Sequence, residues 1–422
     1  MYETTKIEKA LLVMVLVGKE TWPVEVLANE FRNLVSSTEI EVSDLKIVKI
    51  KEINPAIYIG KGKAEELSLL IKEKNIDVII FNNNLSFTQQ RNLEDIFGVK
   101  TIDRTQLILD IFARHAHTQE GILQVELAQL QYLLPRLKGK GIFLSRLGGG
   151  IGTRGPGEKK LEVDRRKIKD RIKHLKEELE ELKNHRALIR KKREKEKIKV
   201  CSLVGYTNAG KSTLFNTLTS SSQETSNDLF TTLTTKSKTF LLNNNIEVLL
   251  TDTVGFIYNL PPTLVEAFKA TLEELYFADL LLHVIDSSSL DIERQLSSVV
   301  KILEELNLKE KPIILIFNKI DKISPEKLDF LKDKYKEAVF ISAIRGDNIE
   351  ILKDRVYRIL FSDIVEVLLE VPFNLMNLSG FIYNNCEVIK TIYKENSTLY
   401  LVRVNKEKLS YLSKNSLKII NL

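Results

Sequence analysis

The spacing of apolar residues changes several times along the chain. Over residues 11–103, short apolar runs alternate with stretches of helical period. This pattern predicts strands over 11–17, 45–50, 78–81 and 99–102, and helices over 24–35, 64–74 and 88–97. Strands that alternate with helices are typical of a parallel sheet with helices on its faces. We therefore predict an N-terminal parallel α/β domain over residues 1–104.

Two apolar seams follow, one on each side of a glycine-rich interval. The first consists of Leu123, Leu127, Leu130 and Leu134, and the second of Leu161, Ile168, Ile172, Leu175, Leu179 and Leu182. Spacings of three, four and seven residues form a heptad seam. Because both seams are short, an antiparallel helical hairpin within the chain is the simplest interpretation. We predict this hairpin over residues 105–197.

The end of the chain shows the order strand, helix, strand, strand, helix, strand. The predicted elements cover 365–371, 374–383, 388–393, 398–404, 406–412 and 417–420. This order is that of a small ferredoxin-like α+β domain, which we predict over residues 362–422. Its sequence holds no catalytic constellation, so we expect it to make contacts.

The strongest chemical signal lies between the hairpin and this last domain. The sequence from Gly205 to Ser212, GYTNAGKS, follows an apolar run at 200–204 and leads into a helical pattern. It matches the phosphate-binding loop, whose backbone N–H groups and helix N-terminus hold nucleotide phosphates. Lys211 would reach the β- and γ-phosphates, and Ser212 would ligate Mg²⁺. The alternative is a chance glycine-rich turn. The predicted phosphate contacts are Gly205, Asn208, Ala209, Gly210, Lys211, Ser212 and Thr213.

The strand predicted over 246–250 ends close to a second polar group. Asp252 would face Mg²⁺ through a water molecule, and the N–H of Gly255 would meet the γ-phosphate. In water-activating GTPases, glutamine often follows this glycine, but here the position holds Phe256, which cannot orient water. We therefore expect slow intrinsic hydrolysis that a partner stimulates, with Phe256 as a hydrophobic anchor. For the remaining Mg²⁺ ligand we predict Thr232, with Thr231 and Thr234 as alternatives.

The base-binding residues are predicted at two further strand ends. The strand over 312–317 leads into Asn318, Lys319 and Asp321, whose carboxylate can accept two hydrogen bonds from guanine. The strand over 339–341 leads into Ser342 and Ala343, which can donate a backbone N–H to the guanine carbonyl. Because open α/β sheets bind ligands at the carboxyl ends of their strands, these motifs together predict a P-loop GTPase domain over residues 198–361, with GTP and Mg²⁺ as its cofactors.

Composition and charge predict a packed, multidomain protein with one strongly basic segment. Its 422 residues are 43% apolar and carry a net charge of +6, which predicts about two to four packed domains. Cys201 and Cys386 lie far apart, and no apolar run reaches spanning length. We therefore expect a cytoplasmic monomer that does not insert in a membrane. Residues 154–199 hold 19 Lys or Arg and 10 Asp or Glu, so the rest of the chain is net negative. This segment is either a polyanion-binding surface or a solvated helix of mixed charge.

The predicted loop over residues 138–157 joins the two hairpin helices. It holds eight of the chain's 18 glycines, and loops of this length are usually functional or disordered. Lys138, Lys140, Arg146 and Arg154 are our predicted RNA contacts, because arginine binds phosphates bidentately and glycine lets a backbone approach closely. The alternative is a flexible linker. The segment Gly60–Lys63 could also approach a phosphate, but a tight turn that begins a helix explains it more simply.

Several long strings of the sequence resemble the HflX family of GTPases. They are Val204–Asn216, Asp252–Ile257, Ala267–Glu274, Tyr58–Lys63, Glu120–Leu130 and Arg154–Glu162. The resemblance extends from Leu11 to about Phe361 and is weakest after that residue. In this family the switch threonine lies in the string Phe-Ala-Thr-Leu-Asp-Pro. Here Phe230–Thr235 reads FTTLTT, which supports Thr232, with Phe230 beside the nucleotide, although the Asp and Pro are absent.

The resemblance implies a GTPase that binds the large ribosomal subunit and its RNA. Such proteins reach the peptidyl-transferase region with the loop of the helical domain and split stalled or idle ribosomes. Two departures concern the RNA contacts, since Ile122 stands where the family usually has Lys and Lys159 where it usually has Thr. The alternative function is a GTP-gated ribosome-binding or assembly factor that recruits partners without separating subunits.

Overall fold

The structure is a computed structural model and contains two compact units, residues 1–349 and 350–422. It describes residues 7–18, 22–145, 156–195, 198–221, 236–242, 246–253, 255–257, 261, 272–375, 377–406, 409, 412 and 418–421. The first unit holds the N-terminal α/β domain, the helical hairpin and the nucleotide-binding sheet.

The N-terminal domain is a four-stranded parallel sheet between helices, as predicted. Its strands are β1 (Lys9–Val17), β2 (Glu41–Ile50), β3 (Val78–Phe81) and β4 (Lys100–Ile102), in the order β2-β1-β3-β4. Its helices are α1 (Val24–Ser36), α2 (Lys61–Glu73), α3 (Phe87–Phe97) and α4 (Arg104–His115). The predicted boundary at residue 104 is wrong for α4, which was assigned to the hairpin region, because Leu107, Ile108 and Phe112 lie in the core of the N-terminal domain. Alternate residues of β1 enter the two core clusters on either side of the sheet, because successive side chains of a strand point to opposite faces.

The hairpin consists of α5 (Gln119–Ser145) and α6 (Pro156–Lys195). Leu123 and Leu127 pack with Leu175, so the two predicted seams meet. Two ion pairs fix an antiparallel arrangement: Glu126 lies 2.7 Å from Arg171, and Glu120 lies 3.0 Å from Arg186.

The loop predicted over 138–157 is shorter in the structure. Helix α5 continues to Ser145 and α6 begins at Pro156. Gly139 and Gly141 each disfavour a helix by about 1 kcal/mol, and this cost is too small to end the long helix α5. Helix α6 begins at Pro156 because proline is favoured at the first helical position. Lys138 and Lys140 therefore belong to α5, although the structure does not describe their side chains. Arg146 and Arg154 lie outside the described residues.

The nucleotide-binding sheet has six strands in the order β10-β9-β8-β5-β7-β6, and only the β6–β7 pair is antiparallel. These strands are β5 (Lys199–Gly205), β6 (Lys236–Leu241), β7 (Glu247–Asp252), β8 (Leu280–Asp286), β9 (Ile313–Asn318) and β10 (Val339–Phe340). Helices α7 (Lys211–Thr219), α8 (Ile292–Glu305) and α9 (Pro325–Lys334) and 3₁₀ turns at Glu273–Phe277 and Ile320–Lys322 connect them.

The second unit begins within helix α10 (Ile349–Leu360), which the sequence placed with the preceding domain. It continues with β11 (Ile364–Pro372), a 3₁₀ turn (Phe373–Leu375), α11 (Asn377–Asn385), β12 (Glu387–Tyr393), β13 (Ser397–Asn405) and β14 (Lys418–Asn421). The sheet order β12-β13-β11-β14 is fully antiparallel and matches the predicted ferredoxin-like arrangement. No helix among the described residues is both long and apolar enough to cross a bilayer.

Candidate nucleotide-binding site

The predicted motifs meet at one edge of the six-stranded sheet. Strands β5, β8 and β9 are parallel neighbours, and β7 pairs with the other side of β5. The carboxyl ends of these strands carry the phosphate loop, Asp286, Asn318 and Asp252. Open α/β sheets bind ligands at this edge, so the fold brings together residues that lie up to about a hundred positions apart.

The phosphate loop runs from Gly205 at the end of β5 to Gly210, which caps α7. Asn208 and Gly210 have positive φ values of 59° and 92°, which turn the backbone sharply into the helix. A Cβ on Gly210 would lie 2.2 Å from Asn318 Nδ2, so any residue other than glycine would displace the Asn318 amide. The loop therefore leads into the N-terminal end of α7, where the first N–H groups of the helix and its dipole favour an anion.

Lys211, the first residue of α7, is buried and lies beneath the loop. Its Nζ donates hydrogen bonds to the carbonyl oxygens of Tyr206, at 2.8 Å, and Gly205, at 3.2 Å. Burial lowers its pKa to about 8; nearby Lys319 also lowers the pKa, and Asp252 opposes the shift. The ammonium is thus held at the phosphate loop by weak acceptors, and phosphate oxygens would stabilise its charge better.

Ser212 and Asp252 form a pair of oxygen donors beside the lysine. The Ser212 hydroxyl donates to Asp252 Oδ2 at 2.8 Å, and Asp252 is buried at the end of β7. Mg²⁺ prefers hard oxygen ligands and is usually held by one or two protein groups together with substrate phosphates. The donor set therefore fits Mg²⁺. The described residues contain no group of three or more His, Cys, Asp and Glu that could hold a metal by themselves.

The base-binding end is built around the buried side chain of Asn318. Its Nδ2 donates to the Ala209 carbonyl and its Oδ1 accepts from the Ala343 N–H, both at 3.0 Å. Asn318 thus joins the phosphate loop to the segment after β10. Asp321 accepts from the Ser342 hydroxyl at 2.6 Å, which lowers the pKa of the Asp321 carboxyl. The carboxylate is therefore ionised at neutral pH and can accept hydrogen bonds from a base.

The sequence analysis missed Asp286, which orders the same end of the site. Lys319 Nζ lies 2.7 Å from Asp286 Oδ2 and donates to the Asn208 carbonyl at 2.6 Å. Lys319 also has a positive φ of 63°, so the ion pair stabilises a turn that a non-glycine residue adopts at a cost. The available signal was a carboxylate that directly ends the buried strand β8.

Phe256 is an anchor, as predicted, and its backbone closes on the phosphate loop. The ring is buried with Val204, Leu275 and Leu281. Its N–H donates to the Gly205 carbonyl at 3.1 Å, and its carbonyl accepts from the Thr207 N–H at 2.7 Å. Gly255 lies so close that a Cβ there would be 2.8 Å from Lys211 Nζ. Gly255 therefore adjoins the lysine, and its contact with the γ-phosphate stays a prediction. Phe230 and Thr232 lie outside the described residues.

Three family models match successive parts of the chain. Residues 25–113 match the GTP-binding GTPase N-terminal family and residues 115–193 the GTP-binding GTPase Middle Region. Residues 200–319 match the 50S ribosome-binding GTPase family. The last match covers the phosphate loop, Asp252 and Asn318. A solved GTP-binding protein of Sulfolobus solfataricus in complex with GDP is 28% identical, with a TM-score of 0.45, over 84% of this chain and 99% of that chain.

Curated relatives match over most of the chain. GTPase HflX of Caldanaerobacter subterraneus is 47% identical over 92% of this chain and 89% of that protein. GTPase HflX of Escherichia coli is 41% identical over 81% of both chains. GTPase HflX of Methanocaldococcus jannaschii is 38% identical over 87% of this chain and 91% of that protein. Identity at this level over this length, together with the phosphate loop and the Asn318–Asp321 motif on one sheet edge, places the chain in the HflX family of GTPases.

Proposed function

We propose that this GTPase binds GTP with Mg²⁺ at the sheet edge and uses its hydrolysis to act on the large ribosomal subunit. The observation that carries the proposal is the presence, in one unit, of a basic helical hairpin and a sheet edge that holds the phosphate loop, Asp252 and the base-binding residues. The match of residues 200–319 to a 50S ribosome-binding GTPase family supports it.

Separate groups of the site contact the phosphates, the base and Mg²⁺. Lys211 and the N–H groups of the 205–210 loop bind the β- and γ-phosphates, and Asp321 selects guanine. Mg²⁺ would be held directly by Ser212 and Thr232 and through water by Asp252. When bound, it would neutralise part of the phosphate charge. The N–H of Gly255 meets the γ-phosphate. These groups position GTP and stabilise developing negative charge, which is the main contribution of a protein to phosphoryl transfer.

Hydrolysis in this site needs a contribution from a partner. The residue after Gly255 is Phe256, whose ring is buried in the sheet-flanking core and has no group that could orient water. We therefore expect slow turnover by the purified protein and a faster rate with large ribosomal subunits. The measurement is phosphate release at saturating GTP with and without purified subunits. Equal rates in both conditions would contradict a ribosome-stimulated GTPase.

The hairpin supplies the surface for ribosomal RNA. Helix α6 runs for 40 residues, and Lys173 on it is largely exposed with its ammonium 3.8 Å from Glu177. Such an exposed pair contributes little to stability, so the Lys173 ammonium remains available to RNA phosphates. We propose that Lys138, Lys140, Arg146 and Arg154 at the hairpin tip contact RNA and that the bound protein separates stalled or idle subunits.

Sucrose-gradient sedimentation tests the action on ribosomes. Intact ribosomes are mixed with the protein and a non-hydrolysable GTP analogue, and the particles are separated. Free subunits are expected from a splitting factor. Co-sedimentation with intact ribosomes would instead support the alternative, a GTP-gated binding or assembly factor.

A salt series tests the hairpin contacts. Replacement of Lys140, Arg146 and Arg154 by Ala should weaken ribosome binding and flatten its salt dependence, because fewer counterions are displaced. A matched control replaces Lys309, Lys332 and Lys336, which are exposed in the nucleotide-binding domain. If both triple variants bind with the wild-type affinity and slope, the tip is a linker, and the remainder of α6 becomes the leading contact.

A further inference from the structure

The side chain of Tyr206, inside the phosphate loop, belongs to the core of the N-terminal domain. It is buried in the same cluster as Phe31 and Leu34 of α1. Its ring stacks on Trp22, with centroids 6.5 Å apart and planes inclined by 28°. A phosphate loop holds a nucleotide and its Mg²⁺ with backbone N–H groups, its lysine and its serine, so the packing of the Tyr206 side chain serves a different purpose.

A chain of hydrogen-bonded polar groups continues from Tyr206 into the N-terminal domain. The Tyr206 hydroxyl donates to one carboxylate oxygen of Glu30 on α1. The other oxygen accepts from Arg104 Nη2 at 2.7 Å. Arg104 is only 2% exposed, and its Nη1 donates to Asn82, directly after β3. The carboxylate thus connects α1, the first residue of α4 and the phosphate loop in one network, which can take few other arrangements without leaving a buried charge unpaired.

The backbone of the same tyrosine touches the groups that bind phosphate. Its carbonyl accepts from Lys211 Nζ at 2.8 Å, and the next residue, Thr207, donates to the Phe256 carbonyl at 2.7 Å. Ile257 also joins the N-terminal core cluster. One residue therefore contacts the lysine and the 255–257 segment on one side and the N-terminal domain on the other.

We propose that Tyr206 is a positioning residue through which the N-terminal domain sets the conformation of the phosphate loop. Glu30 and Arg104 hold its hydroxyl, and its carbonyl holds the Lys211 ammonium. Packing of the N-terminal domain and binding of nucleotide are then linked. By thermodynamic reciprocity, a nucleotide that rearranges the loop changes the packing around Trp22 by the same free energy as that packing changes nucleotide affinity.

The first test compares two tyrosines whose hydroxyls each donate to a carboxylate. Tyr206→Phe removes the hydroxyl and keeps the ring. The control, Tyr132→Phe, removes a hydroxyl that donates to Asp103 at 2.9 Å at the base of the hairpin. We expect the dissociation constant for GDP to change about fivefold or more in Tyr206→Phe and to stay at the wild-type value in Tyr132→Phe. Equal dissociation constants for both variants and wild type would overturn the positioning role.

A double-mutant cycle identifies the route. If Glu30 acts on the loop through Tyr206, then Glu30→Gln should change GDP affinity in wild type and have little further effect in Tyr206→Phe. Fully additive effects would overturn the proposed connection. The inference rests on the proposed nucleotide site. Lys211→Ala distinguishes a failure of the Tyr206 role from a failure of the nucleotide site itself. Loss of GDP binding in Lys211→Ala with unchanged binding in Tyr206→Phe removes the positioning role alone, whereas tight binding in Lys211→Ala removes the site itself.

The second test uses Trp22, the one tryptophan of the chain. Because its ring stacks on Tyr206, its fluorescence reports the loop without a label. We expect addition of GDP to change the emission of wild type. In Tyr206→Leu the change should be lost at GDP concentrations that saturate binding by calorimetry. A wild-type emission that does not respond while calorimetry shows bound GDP would overturn the linkage.

Discussion

Substitution of Gly210 by alanine tests the phosphate loop most sharply, because two separate effects oppose it. The φ of Gly210 is +92°, and a left-handed conformation costs an L residue about 1–2 kcal/mol. The new Cβ would also lie 2.2 Å from Asn318 Nδ2, so the amide must move. Asn318 then loses its bonds to Ala209 and Ala343, each worth about 1 kcal/mol net. The total is about 3–4 kcal/mol.

This cost divides between folding and binding according to how far the loop relaxes in the free protein. If the loop relaxes in the free protein, nucleotide binding must restore the strained form, and the affinity for GDP falls. If the loop does not relax, the unfolding free energy of the free protein falls instead. The unfolding free energy at saturating GDP includes both parts, so it should fall by about 3–4 kcal/mol. Denaturant titration with and without GDP, together with calorimetry of GDP binding, measures the total and its division.

Two other glycines separate the backbone effect from the contact. Gly98 has a φ of +69°, and a Cβ there meets no atom within 4 Å, so Gly98→Ala should cost only about 1–2 kcal/mol. Gly62 lies in α2 with open space around it and no positive φ, so Gly62→Ala should be neutral or stabilising by up to about 1 kcal/mol. A Gly210→Ala variant that loses no more than Gly98→Ala would show that Asn318 does not restrain the loop.

Further predictions concern the base, the lysine and the hairpin. Asp321→Asn should weaken GTP binding and favour xanthosine nucleotides, because the amide donates where the carboxylate accepted; competition binding measures this, and wild-type affinity for GTP would contradict the guanine assignment. Burial lowers the pKa of Lys211 to about 8, and phosphates favour the ammonium, so GDP binding should take up a proton above that pH and weaken as the pH rises. Calorimetry in buffers of different ionisation enthalpy measures the uptake, and an affinity that is flat across this range would refute it. Arg186→Ala removes a cation that lies 3.0 Å from Glu120 within the hairpin and 3.8 Å from the buried carboxylate of Glu274, so the unfolding free energy should fall by about 1–3 kcal/mol. The exposed Lys173→Ala should lose less than about 1 kcal/mol, and equal losses by denaturant titration would show that these two pairs of Arg186 do not stabilise the fold.

Local chemistry made much of this protein predictable from sequence. The phosphate loop, Asp252 and the Asn318–Asp321 motif each follow a buried strand, and the carboxyl ends of neighbouring strands must share an edge. The antiparallel hairpin was also predicted, because the seams around Leu127 and Leu175 both repeat at heptad spacings. The hairpin tip was predicted less well. Gly139 and Gly141 suggested a loop, but an unfavourable propensity of about 1 kcal/mol each does not end a helix whose neighbours continue it.

Tertiary structure alone decided which distant side chains support the site. Tyr206 and Glu30 are 176 positions apart, and nothing in the sequence around either one indicates the other. The pairing of Lys319 with Asp286 arises only because β8 and β9 are parallel neighbours. Motifs report chemistry that a short segment performs by itself, whereas contacts between elements depend on packing that the whole chain determines. The sequence by itself therefore predicted what the loop binds, and the fold decided which domain holds it.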